Sequence, residues 1–389
     1  MKNFAAKTLS FFKKELMLSV ALIAAIASLF ITPPSKDLLS SIDWKTLATL
    51  FMLLSTLEGF KKENIFSPLL RKTSRLGSMI ALTFFFVFSV FFTSMFVTND
   101  VSLIIFVPLT IILFRAGNKE KFILPVLTLE NIAAIRGSLL TPFGSPQNLF
   151  LFSQSGISAP EFMMMMSPLW IASALLLSGF IIILYCRNIR EKIKITGTDF
   201  CPEWDSSRKG KRTLYFILFI LIIATIVSRT VYWPYVTLLV FVTLLVFDRQ
   251  ILLQTDYVLL LTFLCFFVFS SSICHNHNIA KFLSDHVSDH EYIWSILLSQ
   301  LISNVPASIV LWPFTKNLVG LLYGLDSAGL CSIIGSLASV INLRIYSREY
   351  PAKSMKFMFV FTIISLAFFA LVVAPQYFAI PVVSNWLGL

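Results

Sequence analysis

Apolar stretches recur along almost the whole of this 389-residue chain, at 16–31, 47–60, 79–97, 163–185, 214–227, 236–247, 258–270 and 357–373. A helix rises about 1.5 Å per residue, so roughly 20 apolar residues cross the hydrocarbon of a bilayer. Several of these runs are shorter, which predicts tilt or re-entry. Lipid offers no hydrogen bonds to the backbone, so each run must satisfy its own N–H and C=O groups as helix. Charged residues make up only 13% of the chain against 57% hydrophobic, where a soluble domain carries about 25% charged. The expected class is an all-α polytopic membrane protein with no soluble second domain. Lys13 and Lys14 precede the first run, and no small-residue cleavage site with a polar domain follows it. It is expected to be a retained span and not a signal peptide.

A net charge of +11 would point to nucleic acid in a soluble protein, but in a membrane protein it reports orientation. With the N-terminus in the cytoplasm and two segments re-entering on the side they left, all but six of the 31 lysines and arginines fall inside. The exceptions are Lys36, Lys45, Arg136, Arg229, Lys281 and Lys316. No nucleic-acid partner is expected. Cys186, Cys201, Cys265, Cys274 and Cys331 are odd in number and lack metal-ligand spacing, so free thiols are expected.

Polar residues interrupt the apolar runs twice in the same way. Thr98-Asn99-Asp100 is followed by Gly144-Ser145-Pro146-Gln147-Asn148, and Ser303-Asn304-Val305 by Gly335-Ser336-Leu337-Ala338-Ser339. An aspartate at mid-helix in a bilayer costs roughly 2.5–3.5 kcal/mol on insertion scales, so a repeated polar cluster points to a binding site. Non-helical backbone at that depth survives only where it lines a cavity or is buried in protein. The expected architecture is an inverted structural repeat with two re-entrant helical hairpins and two discontinuous helices. An N-terminal span and outer loop fill 1–42. The first repeat fills 43–186, with hairpin 76–115 and broken helix 122–152. A cytoplasmic linker and connecting spans fill 187–255. The second repeat fills 256–375, with hairpin 291–318 and broken helix 328–346, and a C-terminal tail fills 376–389. Broken helices at corresponding places in two halves mark a transport site at the midplane.

The Asn99 and Asn304 carbonyls, with free backbone carbonyls at each break, make hard oxygen cages suited to sodium. Amides that glue helices together are the plainer reading. Asp100 either pairs with a cation, binds one, or takes up a proton. Arg136 is its expected partner, with Glu130 six residues before Arg136 as a competitor, and Arg136 alternatively holds an anionic substrate. A purely structural ion pair is the plain alternative. His275, His277, His286 and His290 cluster in sixteen residues, and His286 and His290 have the i, i+4 spacing that can share a metal. Cys274, Asp285 and Asp289 complete no ligand set, so a solvated loop is the simpler expectation over a metal or pH sensor. The Met163–Met166 run reads as lipid- or core-facing filler. No enzyme motif occurs, and no cofactor or resident metal is expected.

The strings from Phe96 to Pro108, from Thr141 to Leu149, from Ser299 to Ala307 and from Gly335 to Ser339 resemble the ion transporter superfamily. That group includes citrate–metal permeases, arsenite permeases, NhaD-type sodium/proton antiporters and divalent anion/sodium symporters. The strings are most similar to its YbiR-like bacterial inner-membrane permeases, over residues 40 to 375. The resemblance implies a scaffold with an elevator-like transport domain in the inner membrane, and sodium or protons as coupling ion. It implies that Asn99 with Gly144 frames one cation site and Asn304 with Gly335 the other, while Thr98, Ser145, Pro146 and Ser303 face the substrate. Asp100, Arg136, Asn148 and Ser336 complete the candidate substrate set. The symporters have Thr where this chain has Asp100 and Val305, which weakens a plain sodium–dicarboxylate reading and moves it toward the arsenite permeases. The expected function is a secondary active transporter of a small anion or oxyanion, with a sodium/proton antiporter as the alternative. A homodimer is an admissible assembly.

Overall fold

The computed structural model describes residues 16–31, 42–65, 77–186, 191–193 and 208–387. The basic residues expected inside at 2–14, 71–75 and most of 187–207, together with Cys201, lie outside the described residues.

The described chain is helical, with one isolated bridge between Ser78 and Lys192. Its α-helices are α1 (Leu16–Ile31), α2 (Trp44–Lys62), α3 (Met79–Val97), α4 (Asn99–Ala116), α5 (Ile123–Gly137), α6 (Pro146–Ser155), α7 (Ala159–Tyr185) and α8 (Lys209–Val227). They continue as α9 (Trp233–Gln254), α10 (Tyr257–His275), α11 (His277–Val287), α12 (Glu291–Ile302), α13 (Asn304–Leu311), α14 (Leu318–Cys331), α15 (Leu337–Glu349) and α16 (Ser354–Leu387). Seven of the described helices are long and apolar enough to cross a membrane, so the chain is a multi-pass membrane protein.

Helix starts follow from side-chain chemistry. Asp43 caps α2 by accepting from the Thr46 N–H at 3.0 Å, and Asp256 caps α10 by accepting from the Leu259 N–H at 3.0 Å. The two caps have nearly the same backbone, φ −77°, ψ 81° and φ −75°, ψ 82°. Asp43 also accepts from Gln154 Nε2 at 2.7 Å, tying α2 to α6. Loss of an N-cap costs about 0.5–2 kcal/mol. Asp43→Ala is therefore expected to lower the thermal unfolding midpoint of the purified protein, and an unchanged midpoint would contradict the capping role.

Single residues turn the chain back at both polar triplets. Thr98 joins α3 to α4 with φ 68° and ψ 156°, and Ser303 joins α12 to α13 with φ 68° and ψ 161°. The arms run antiparallel: Thr93 Oγ1 donates to Ser102 Oγ at 3.1 Å across the first turn. At the base of the second, Glu291 Oε1 accepts from the backbone of Lys316 at 2.8 Å and Asn317 at 3.0 Å. Eight residues separate α5 from α6 and five separate α14 from α15. The helix before the second break begins at Leu318, ten residues earlier than 328. Residues expected as a tail after 375 continue α16 to Leu387 through Pro375 and Pro381, which neighbouring helices make tolerable in a membrane protein.

Packing repeats as well. The contact of α3 with α5 is matched by α12 with α14, α1 with α10 by α9 with α2, α4 with α15 by α13 with α6, and α5 with α7 by α14 with α16. At one end of the bundle α9 leaves helical geometry at Asp248, φ −158° and ψ 73°. That carboxylate accepts from Lys62 Nζ at 2.8 Å and Tyr215 Oη at 3.1 Å, which fastens α2, α8 and α9 together.

Candidate functional site

A cavity of about 510 Å³ lies where the first triplet meets the first break. Thr98, Asp100, Ser145 and Pro146 line it, as do Leu337 and Ile341 from the start of α15. The other wall is α2, through Leu50, Leu53, Glu58 and Lys61, and the α9–α10 junction at Thr255, Asp256 and Tyr257. The volume suits a small ligand.

Its charges are unbalanced. Lys61 Nζ donates to Glu58 Oε1 at 3.0 Å, so this cation is already paired. Asp100 and Asp256 face the same space and feel each other's charge. No salt bridge reaches either among the described residues, and Asp100 Oδ1 has no hydrogen-bond partner.

Arg136 does not meet Asp100. It is fully buried, donates to Ser327 Oγ at 3.3 Å and faces Asp326 of α14. Asp326 in turn accepts from Gln147 Nε2 at 3.0 Å. Ser327 Oγ donates to Gln376 Oε1 at 2.6 Å, which also accepts from Tyr292 Oη at 2.8 Å. The two buried charges offset part of each other's desolvation cost, while Arg136 Nε and Nη1 and Asp326 Oδ2 have no hydrogen-bond partner among the described residues. This cluster joins α5, α6, α12, α14 and α16 behind the chamber. Glu130 is not drawn to Arg136 either, and accepts from Thr110 Oγ1 of α4.

The remaining candidates are buried beside the two turns. Asn99 Oδ1 accepts from the Asp100 N–H at 2.9 Å. In the second half Asn304 Oδ1 accepts from Ser303 Oγ at 3.5 Å, and the Asn304 N–H donates to the Gly335 carbonyl at 3.2 Å. Ser303, Asn304 and Ser336 do not line the large cavity, and neither do Asn148 and Gly144. Ser145 and Ser336 start α6 and α15 with matching extended backbone, φ −147° and −148°. A smaller cavity of about 230 Å³ is lined by Asp43, Phe150, Gln154, Ser271, Cys274 and His275. Of the four histidines only His275 lines it, and no group of three His, Cys, Asp or Glu side chains converges among the described residues. Cys186, Cys265, Cys274 and Cys331 are free thiols.

Thr98 and Ser303 hold a backbone region that glycine alone adopts without strain, at a cost of about 1–3 kcal/mol each. Ser303→Gly is expected to raise the thermal midpoint of the purified protein, because it relieves a strained backbone. A lower midpoint would contradict the strain.

Glu58, Lys61 and Asp256 are chamber residues that sequence patterning assigns only to a basic stretch and a helix boundary. Asp256 was discoverable as the counterpart of Asp43. Asp326 was discoverable as a lone ionisable residue in an apolar run.

A family model described as citrate transporter, CitMHS, matches residues 8–327. The chain is similar to the uncharacterized transporter MJ0456 of Methanocaldococcus jannaschii, 32% identical over 309 residues, 78% of this chain and 81% of that one. It is also similar to the inner membrane protein YbiR of Escherichia coli, 31% identical over 321 residues, 82% of this chain and 84% of that one.

Proposed function

The chain belongs to the citrate transporter family, and from that premise we propose that it is a secondary carrier of a small carboxylate-type anion or oxyanion. The carrying observation is the pair Asp100 and Asp256 on one chamber, with no salt bridge to either among the described residues. A unit anion 4 Å from one ionised carboxylate is opposed by about 4 kcal/mol at an effective dielectric of about 20. The substrate therefore enters together with a cation or a proton that neutralises the wall. Linkage makes the help mutual, since the anion raises the affinity for the cation by the same factor. Coupling follows from charge alone, with Asp100 as the proton- or cation-carrying group.

Asn99 with Gly144 and Asn304 with Gly335 serve as the two cation frames, with Thr98, Ser145 and Pro146 toward the substrate. Arg136 positions α5 and α14 from behind the chamber. The matched caps, turns, breaks and helix contacts support an inverted repeat in which α1 and α9 are also counterparts. The smaller cavity occupies positions that match the large one, with Asp43 for Asp256, Phe150 for Ile341, Ser271 for Glu58 and Cys274 for Lys61. Exchange of their sizes is then the alternating-access step, in an inner membrane with the N-terminus inside.

The acidic chamber equally suits a sodium/proton antiporter, the second reading. Thermal-shift measurements of the purified protein against citrate, succinate, arsenite, phosphate and sulfate, each with and without sodium, separate the two. The carrier reading predicts an anion that stabilises only with its cation. Stabilisation by sodium alone, with no response to any anion, would contradict it.

A further inference from the structure

Glu130 is fully buried and takes no part in the chamber. Its Oε1 accepts from Thr110 Oγ1, and its Oε2 has no hydrogen-bond partner. Among the other buried acceptors in that state are Oδ1 of Asn131, the next residue on α5, and Oδ1 of Asn342 on α15. Their positions are tied together. Asn342 Nδ2 donates to the Leu127 carbonyl at 2.8 Å, and Asn131 Nδ2 donates to Ser339 Oγ at 3.0 Å. In an α-helix the carbonyl of residue 127 lies against the turn that carries residues 130 and 131, so the Asn342 amide sits against that turn. Because its nitrogen must face a backbone carbonyl, the orientation of that amide is fixed and Oδ1 is an acceptor. Helices α4, α5 and α15 pack on one another.

Three buried acceptors, one of them charged, lack a donor, and buried polar groups in native proteins rarely go unpaired. No salt bridge reaches Glu130 among the described residues. We propose that Glu130, Asn131 and Asn342 form an internal site for one dehydrated alkali cation of the sodium class. A carboxylate and two amide carbonyls are hard oxygen ligands. One carboxylate balances one positive charge, and no cluster of three acidic, histidine or cysteine side chains is present among the described residues to hold a divalent ion. A proton on Oε2 would neutralise the charge and serve one neighbour, leaving the other amide oxygen unpaired at a cost. The ion fastens the first turn-back arm and the first broken helix to α15. The site does not depend on the identity of the transported anion.

The test is equilibrium binding of radioactive sodium, with thermal midpoints in sodium against choline chloride at constant ionic strength and pH. It uses the full chain as wild type, Glu130→Gln, Asn342→Ala and Asp100→Asn. The introduced amide can donate to the neighbouring oxygens, so Glu130→Gln is expected to fold in choline, to bind one sodium fewer per chain, and to lose the matching part of the midpoint rise. Asn342→Ala is expected to move the sodium titration about tenfold or more to higher concentration, whereas Asp100→Asn keeps this sodium. Equal sodium binding by wild type and Glu130→Gln would overturn the site. So would a midpoint that follows pH and ignores sodium, which would mark Glu130 as a protonated acid. Should Glu130→Gln not fold, an unchanged titration in Asn342→Ala overturns the proposal by itself.

Discussion

Asp100→Asn is expected to abolish uptake driven by a pH gradient in proteoliposomes while leaving substrate exchange measurable. The asparagine keeps the shape of the side chain at the first turn of α4, and its neighbour Asn99 still accepts from the backbone N–H of residue 100. What disappears is the ionisable carboxyl, proposed as the coupling group, that shares the cavity with Asp256. An anion then enters a chamber with one carboxylate fewer, so binding weakens less than coupling. The readout is the ratio of gradient-driven uptake to exchange at equal substrate. An unchanged ratio would remove Asp100 from the coupling step and shift attention to Asp256.

The second large effect is expected at the breaks. A Cβ added at Gly335 would lie 2.1 Å from the Ala328 carbonyl oxygen, and one at Gly144 would lie 2.4 Å from that of Ser138. Both obstacles are backbone, so neither can swing aside. Overpacking of this kind costs about 1–3 kcal/mol, and sometimes more. At Gly335 the shift also displaces the carbonyl that receives the Asn304 N–H at 3.2 Å, so the second turn loses its link to the second break. Gly335→Ala is expected to lower the thermal midpoint by several degrees and to cut transport about tenfold or more, as small misplacements at a positioned site do. Normal transport with a normal midpoint would show that the close approach has no role.

The polar interruptions were legible in the sequence because polar groups inside apolar runs have few structural excuses. Thr98 and Ser303 turn out to be the turning residues of both hairpins. The start of α14 was less legible: the stretch 318–331 carries Gly320, Gly324 and Gly329, a residue type that weakens helices in water but is common inside membrane helices. The pairing of charges was not legible at all. Arg136 and Asp100 are close in sequence, but Arg136 faces Asp326, nearly two hundred residues away. Periodicity places a side chain on a helix face and says nothing of which distant helix that face meets. The same gap hid Asp256: its capping role is local, while its place on the chamber depends on how α2, α4 and α10 assemble.

Counterflow in proteoliposomes reads alternating access by this protein directly. Vesicles loaded with unlabelled citrate, succinate, arsenite, phosphate or sulfate are diluted into a trace of the same labelled compound, with sodium and pH equal on both sides. A carrier with one chamber exposed alternately predicts that at least one of these anions accumulates transiently above equilibrium. Labels that only equilibrate, or a sodium-dependent proton flux that proceeds with no response to any anion, would contradict it.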